Sequence, residues 1–167
     1  MASVPRELIK DALRGLLHSI FFHRLLVSVI PREIRVLNTS VSITDSQEVE
    51  DLIEAKITEF LQNTRSNQVK QGKLVVLFYD KRLQKNWFQF SKSEELVCWE
   101  QWNIILNLTQ PSQTEQEKAK ASRSIERQLS QCLMTILRIV DDYKEHIPSI
   151  TTTEGNPFPY EITFKPV

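Results

Sequence analysis

Residues 73–108 read KLVVLFYDKRLQKNWFQFSKSEELVCWEQWNIILNL: an apolar run, a basic and aromatic middle, and a second run in which apolar and polar residues alternate. Residues 74–79 are apolar at every position, as in an interior strand covered on both faces. Residues 96–108 put Leu96, Cys98, Trp102, Ile104, Leu106 and Leu108 on one side of a strand, against Val97, Trp99, Gln101, Asn103, Ile105 and Asn107. Glu100 falls on the inward side of that strand, which predicts a bulge or bend there. The two runs form a long hairpin. All three tryptophans lie between positions 87 and 102; alternation gives Trp99 and Trp102 to packing and leaves Trp87 in the loop.

Working outward, residues 5–26 carry Leu8, Ile9, Ala12, Leu13, Leu16, Leu17, Ile20 and Phe21 on one helical face. Pro5 suits the first turn, where its missing N–H had no intrahelical partner. Gly15 weakens this helix by about 1 kcal/mol relative to Ala, unless another backbone must approach closely. After Pro31, residues 34–43 alternate, with Leu37, Val41 and Ile43 on one side, and read as one half-exposed strand. Asp45 and Ser46 start a second helix, with Glu48 placed to complete a capping-box-like pair with Asp45. Its core stripe is Val49, Leu52, Ile53, Ile57, Phe60 and Leu61. Pro111 and Ser112 begin a third helix of about thirty residues, with Glu115 at the capping-box position. Its apolar positions, Ile125, Leu129, Cys132, Leu133, Ile136, Leu137, Val140 and Tyr143, fall late, so its second half is the buried one. Residues 160–165 alternate Tyr160, Ile162 and Phe164 against polar neighbours as a last strand. This order is α+β: a mostly antiparallel sheet with helices on one face.

With 167 residues and 41% hydrophobic content, the chain has the size of one domain, residues 1–167, and buries a core without disulfide or metal staples. Lys plus Arg and Asp plus Glu balance at 21 each, so no global field draws it to nucleic acid or an anionic membrane. Cys98 and Cys132, far apart in apolar surroundings, fit reduced buried thiols. The longest apolar run, residues 19–30, is interrupted by His23, Arg24 and Ser28 and is too short to span a bilayer. Charges from Arg6 to Arg14 deny the N-terminus the form of a signal peptide. The expectation is a soluble cytoplasmic protein with no stable membrane insertion.

No constellation announces chemistry. A phosphate-cradling loop needs clustered glycines, and Gly15, Gly72 and Gly155 stand isolated. Zinc needs four close ligands, but His18 and His23 face different sides of a helix and neither cysteine has a near partner. A nucleophilic Cys98 is weighed against an inward strand position, which its alternation with Leu96 and Trp102 favours. His18 reads as a partly buried residue bonded to backbone. Asp141 and Asp142 stand where the helix dipole disfavours them, with Lys144 to screen them. No catalytic residue, metal or cofactor is expected.

The loop over residues 81–94 differs. It holds Lys81, Arg82, Lys85 and Lys92 with the acid Glu94, and Trp87, Phe88 and Phe90 crowd into it. These aromatics either fold back beneath the loop or meet a partner, which would gain roughly 1.5–3 kcal/mol for each one it buries. Single-stranded nucleic acid or a membrane interface are further readings, against which the patch is short and the chain neutral.

Trp87-Phe88-Gln89-Phe90-Ser91, followed by Val97-Cys98-Trp99-Glu100-Gln101-Trp102, resembles the W-P-F-S and P-W-E-x-W signatures of the autophagy-related protein 101 family, whose members are single HORMA domains. Leu17-His18-Ser19-Ile20-Phe21-Phe22-His23-Arg24 is similar to that family's L-H-T-x-L-L-H-R, and Pro159-Tyr160-Glu161-Ile162-Thr163-Phe164 resembles its P-Y-x-Y-x-I-S-F strand. The resemblance covers most of the chain in order. It implies a HORMA fold, three helices on a mainly antiparallel sheet, and a function without catalysis. It implies pairing with the HORMA domain of autophagy-related protein 13 in the autophagy-initiation kinase complex, at the phagophore assembly site. It implies too that a Trp/Phe finger recruits downstream factors. Carried over by motif, Trp87 is the finger tryptophan and Phe88 or Phe90 its partner, although the family's proline is absent here. Pairing through the third helix and the exit of the first would expose His23, Arg24 and the turns near Arg123 and Arg127. Only three residues follow Phe164, so the expected form is one open-type state that embraces no peptide. The alternative within the same fold is a HORMA adaptor of checkpoint or DNA-repair type that captures a short peptide motif.

Overall fold

The computed structural model describes residues 3–27, 30–66, 68–84, 93–150 and 155–165. In chain order its elements are β1 (Ser3–Pro5), a 3-10 turn (Arg6–Leu8), α1 (Ile9–Arg24), β2 (Pro31–Val36), β3 (Thr39–Thr44) and α2 (Gln47–Asn63). Then follow β4 (Gln71–Gln84), β5 (Ser93–Thr109), α3 (Glu115–Asp142) and β6 (Tyr160–Lys165). The main sheet has the order β1-β5-β4-β6, and β2 and β3 form a separate two-stranded hairpin. All pairings are antiparallel except β1 with β5. This is the α+β architecture expected from the sequence, and it is consistent with a HORMA-like fold.

The apolar run of β4 is central, between β5 and β6, as its two-sided character requires. Leu74, Val76 and Phe78 join Ile104, Leu106 and Ile162 in one cluster with the stripes of α1, α2 and α3. Helix α1 buries eleven of its sixteen residues, which makes it the central helix. Each large apolar side chain it buries, such as Leu13, Leu17 or Phe21, contributes about 1.5–3 kcal/mol.

The bulge is present, one residue from where alternation put it. Phe78 pairs with Glu100 and Tyr79 with Cys98, so Trp99 is the residue without a partner. The face assignment therefore inverts on its N-terminal side: Leu96 and Cys98 are exposed, not inward. Trp99 turns toward the core, with ring centroids 5.7 Å from Phe78 and 5.1 Å from Phe158.

Other boundaries differ for local reasons. β1 is three residues long, too short to show a period, and pairs in parallel with residues 107–109. The single strand read over residues 34–43 is the β2–β3 hairpin, turned at Leu37 with φ 55°. Ser46 caps α2 by accepting from the Val49 N–H, while Asp45 pairs with Arg32 at 2.9 Å. Thr114 caps α3 in a reciprocal box with Glu117, so the box begins two residues beyond Ser112. The close neighbour at Gly15 is a side chain and not a backbone: a Cβ there would stand 3.1 Å from a Leu129 methyl.

Candidate functional site

Helix α3 buries Ile125, Leu129 and Ile136 and half-buries Cys132, Leu133 and Val140. Leu137 and Tyr143, read as part of that stripe, are exposed instead. Met134, Leu137 and Asp141 recur at helical spacing beside the buried stripe of α3, so they share the next face, and Lys144 follows just past the helix end. Met134 is 61% and Leu137 43% exposed, two large apolar side chains one turn apart on the same helix. With His23 at the end of α1 they line a groove. Ser40 and Ser42 of β3 continue it past Leu133 and Leu137. Burial, and then the neighbouring Arg24 charge, hold the His23 imidazole below the ordinary histidine range, which favours its neutral form. The groove thus has an apolar and neutral middle, with Arg138, Asp141 and Lys144 around it; Lys144 lies 2.6 Å from Asp141 and screens it as expected.

Arg24 does not belong to that surface. Its expected exposure is corrected: the side chain is 1% exposed, donating from Nε to Glu100 Oε2 at 2.6 Å and from Nη2 to the Tyr143 carbonyl at 3.2 Å. The inward parity of Glu100 was the sequence's signal of this buried partner. His146 Nε2 lies 3.6 Å from the other carboxylate oxygen of Glu100, and the His146 ring rests on Trp99 with centroids 5.6 Å apart.

Arg123 and Arg127 are exposed on α3, where the neighbouring Glu126 accepts from Asn38 at 2.6 Å. The groove brings His23 together with the second half of α3, whereas Arg123 and Arg127 lie some turns before it. The finger residues Trp87, Phe88 and Phe90 lie outside the described residues; β4 and β5 keep their pairing as far as Gln84↔Ser93. Cys98 is exposed and donates weakly to the Glu100 carbonyl at 3.4 Å. Cys132 is half-buried, and burial pushes its thiol up. Among the described residues no three His, Cys, Asp or Glu side chains gather as metal ligands, and no helix is long and apolar enough to cross a membrane.

Comparison with known proteins gives one family. The model of Autophagy-related protein 101 matches residues 2–154. The chain is 30% identical to Autophagy-related protein 101 of Arabidopsis thaliana over 175 residues, covering 93% of this chain and 80% of that one. It is 27% identical to Autophagy-related protein 101 of Schizosaccharomyces pombe over 153 residues, covering 91% of this chain and 77% of the relative.

Proposed function

The chain belongs to the autophagy-related protein 101 family and has an autophagy-related role; from that premise we propose that it is a non-catalytic adaptor of the autophagy-initiation kinase complex. It acts as a single HORMA domain at the phagophore assembly site, pairing with and stabilising the HORMA domain of autophagy-related protein 13. The observation that carries this reading is the groove at the ends of α1 and α3, where Met134 and Leu137 stand open beside His23. Burial of one such side chain by a partner yields about 1.5–3 kcal/mol. His23 contributes from α1, Arg123 and Arg127 form the charged approach along α3, and Arg24 acts from below. The aromatic finger, Trp87 with Phe88 or Phe90, recruits downstream factors.

Two measurements test this. The purified chain and the partner domain should form a one-to-one complex by light scattering, and Leu137→Asp should abolish it while leaving the circular dichroism melt in place. Trp87→Ala/Phe88→Ala should keep both complex and melting temperature and stop autophagic flux in starved cells. Loss of folding in that double variant would return the aromatics to a core role.

A further inference from the structure

We propose that the buried Arg24–Glu100 ion pair is the positioning device of the docking groove, fixing from beneath the two helix ends that a partner touches. The inference rests on the groove being the docking face. Arg24 is the last residue of α1 and follows His23 directly. Its guanidinium reaches the carboxylate of Glu100, beside the bulge in β5, and the carbonyl of Tyr143, the residue that caps α3. One side chain therefore joins the ends of two helices to the least regular point of the sheet. The planar fork of arginine makes such a multi-element tie directional in a way that a lysine ammonium is not.

The same two helices also meet at an apolar contact further back. There Gly15 of α1 admits the Leu129 methyls, so closely that a Cβ would meet them at 3.1 Å and 3.3 Å. His23, Met134 and Leu137 sit towards the helix ends, where a small rotation about the Gly15 contact moves them most. His146 extends the tie past α3, with its imidazole 3.6 Å from Glu100 and against Trp99. A buried pair of this kind adds little stability over apolar residues of similar volume. What an apolar pair would lack is the link to Tyr143. The pair is therefore separable by experiment into a part that holds the fold and a part that sets geometry.

The test uses the whole chain and the proposed partner domain. Arg24→Met/Glu100→Leu removes both charges together, so neither is left buried alone, and the melting temperature should be kept. Affinity by calorimetry should fall about three- to thirty-fold, the range over which residues behind a site alter binding. The Met134 methyl resonance, one of two from methionine in the wild-type chain and one of three in the variant, should shift in the free protein although neither hydrogen bond of Arg24 reaches Met134. Should that variant not fold, Glu100→Gln, which keeps shape and loses charge, is read by the same two signals. Wild-type affinity with an unmoved Met134 signal in a folded variant overturns the proposal. Leu137→Asp separates the two readings: if it binds normally the docking face itself is wrong, whereas if it abolishes binding and the pair variants bind normally only the positioning role falls.

Discussion

His18 lies in the interior of α1, 1% exposed, and neither ring nitrogen has a hydrogen-bond partner among the described residues. The backbone hydrogen bond expected for it from the sequence is absent among them. Around it stand the charges of three elements: Arg14 on α1, Glu50 and Glu54 on α2, and Arg32 on β2. Arg14 reaches both carboxylates, at 3.3 Å and 3.2 Å. Burial first, and then the Arg14 charge, push the imidazole below its ordinary 6.5. The unfolded chain therefore takes up the proton first. The stability that comes from a neutral His18 is complete above about pH 6.5 and is lost as the pH falls from there towards the depressed folded value. The slope cannot exceed about 1.4 kcal/mol per pH unit for one group. In urea melts between pH 7.5 and 5, the stability of wild type relative to His18→Leu should fall as the medium is acidified, since only the wild type carries this penalty. Parallel curves would mean that His18 is not the group being protonated.

At the scale of elements, the join of α2 to β4 is the most sharply constrained. Gly72 lies against the buried Phe60 ring, and a Cβ there would collide with that ring and stand 3.1 Å from the Thr64 methyl. Phe60 cannot retreat easily, because Phe164 packs edge-on against it at 5.7 Å. Gly72→Ala should cost about 1–3 kcal/mol, read as a melting temperature lower by about 2–4 °C per kcal/mol for a chain of this size. A second test is the start of α3, where Thr114→Ala should cost about 1 kcal/mol by freeing the Glu117 N–H. These elements also show what periodicity can and cannot carry. The stripe of α2 and the alternation of β6 were legible because one face of each is buried, which forces a period on the sequence. β1 was not legible, since three residues carry no period, and neither was the turn at Leu37, where a leucine holds a left-handed conformation that its type does not signal. The site was legible in part. His23 was marked as surface and borders the groove, but Arg24 beside it is buried, because only the fold brings Glu100 and the Tyr143 carbonyl to it. Met134 and Leu137 escaped notice for the opposite reason, as apolar residues that a pattern assigns inward or overlooks.

For the whole molecule, balanced charge means that electrostatic attraction to a partner must be local. Arg123→Glu/Arg127→Glu should slow association with the partner domain, with a salt dependence weaker than that of wild type, and leave the melting temperature of the free chain unchanged. Stopped-flow mixing at two ionic strengths decides this; an unaltered association rate would remove both arginines from the approach surface. Partner binding should also raise the melting temperature with partner concentration, by about 2.7 kcal/mol of stabilisation at one hundred times the dissociation constant. The hairpin arm has a different relation to the fold. The rungs on either side of Trp99 continue in step, Phe78 with Glu100 and then Tyr79 with Cys98, so this residue is surplus to the ladder. A bulge bends its strand and adds twist. Removing one residue at this point would leave every rung able to form while changing the direction in which the arm departs from the sheet, so the arm's existence and its aim are encoded separately, the second by a single position.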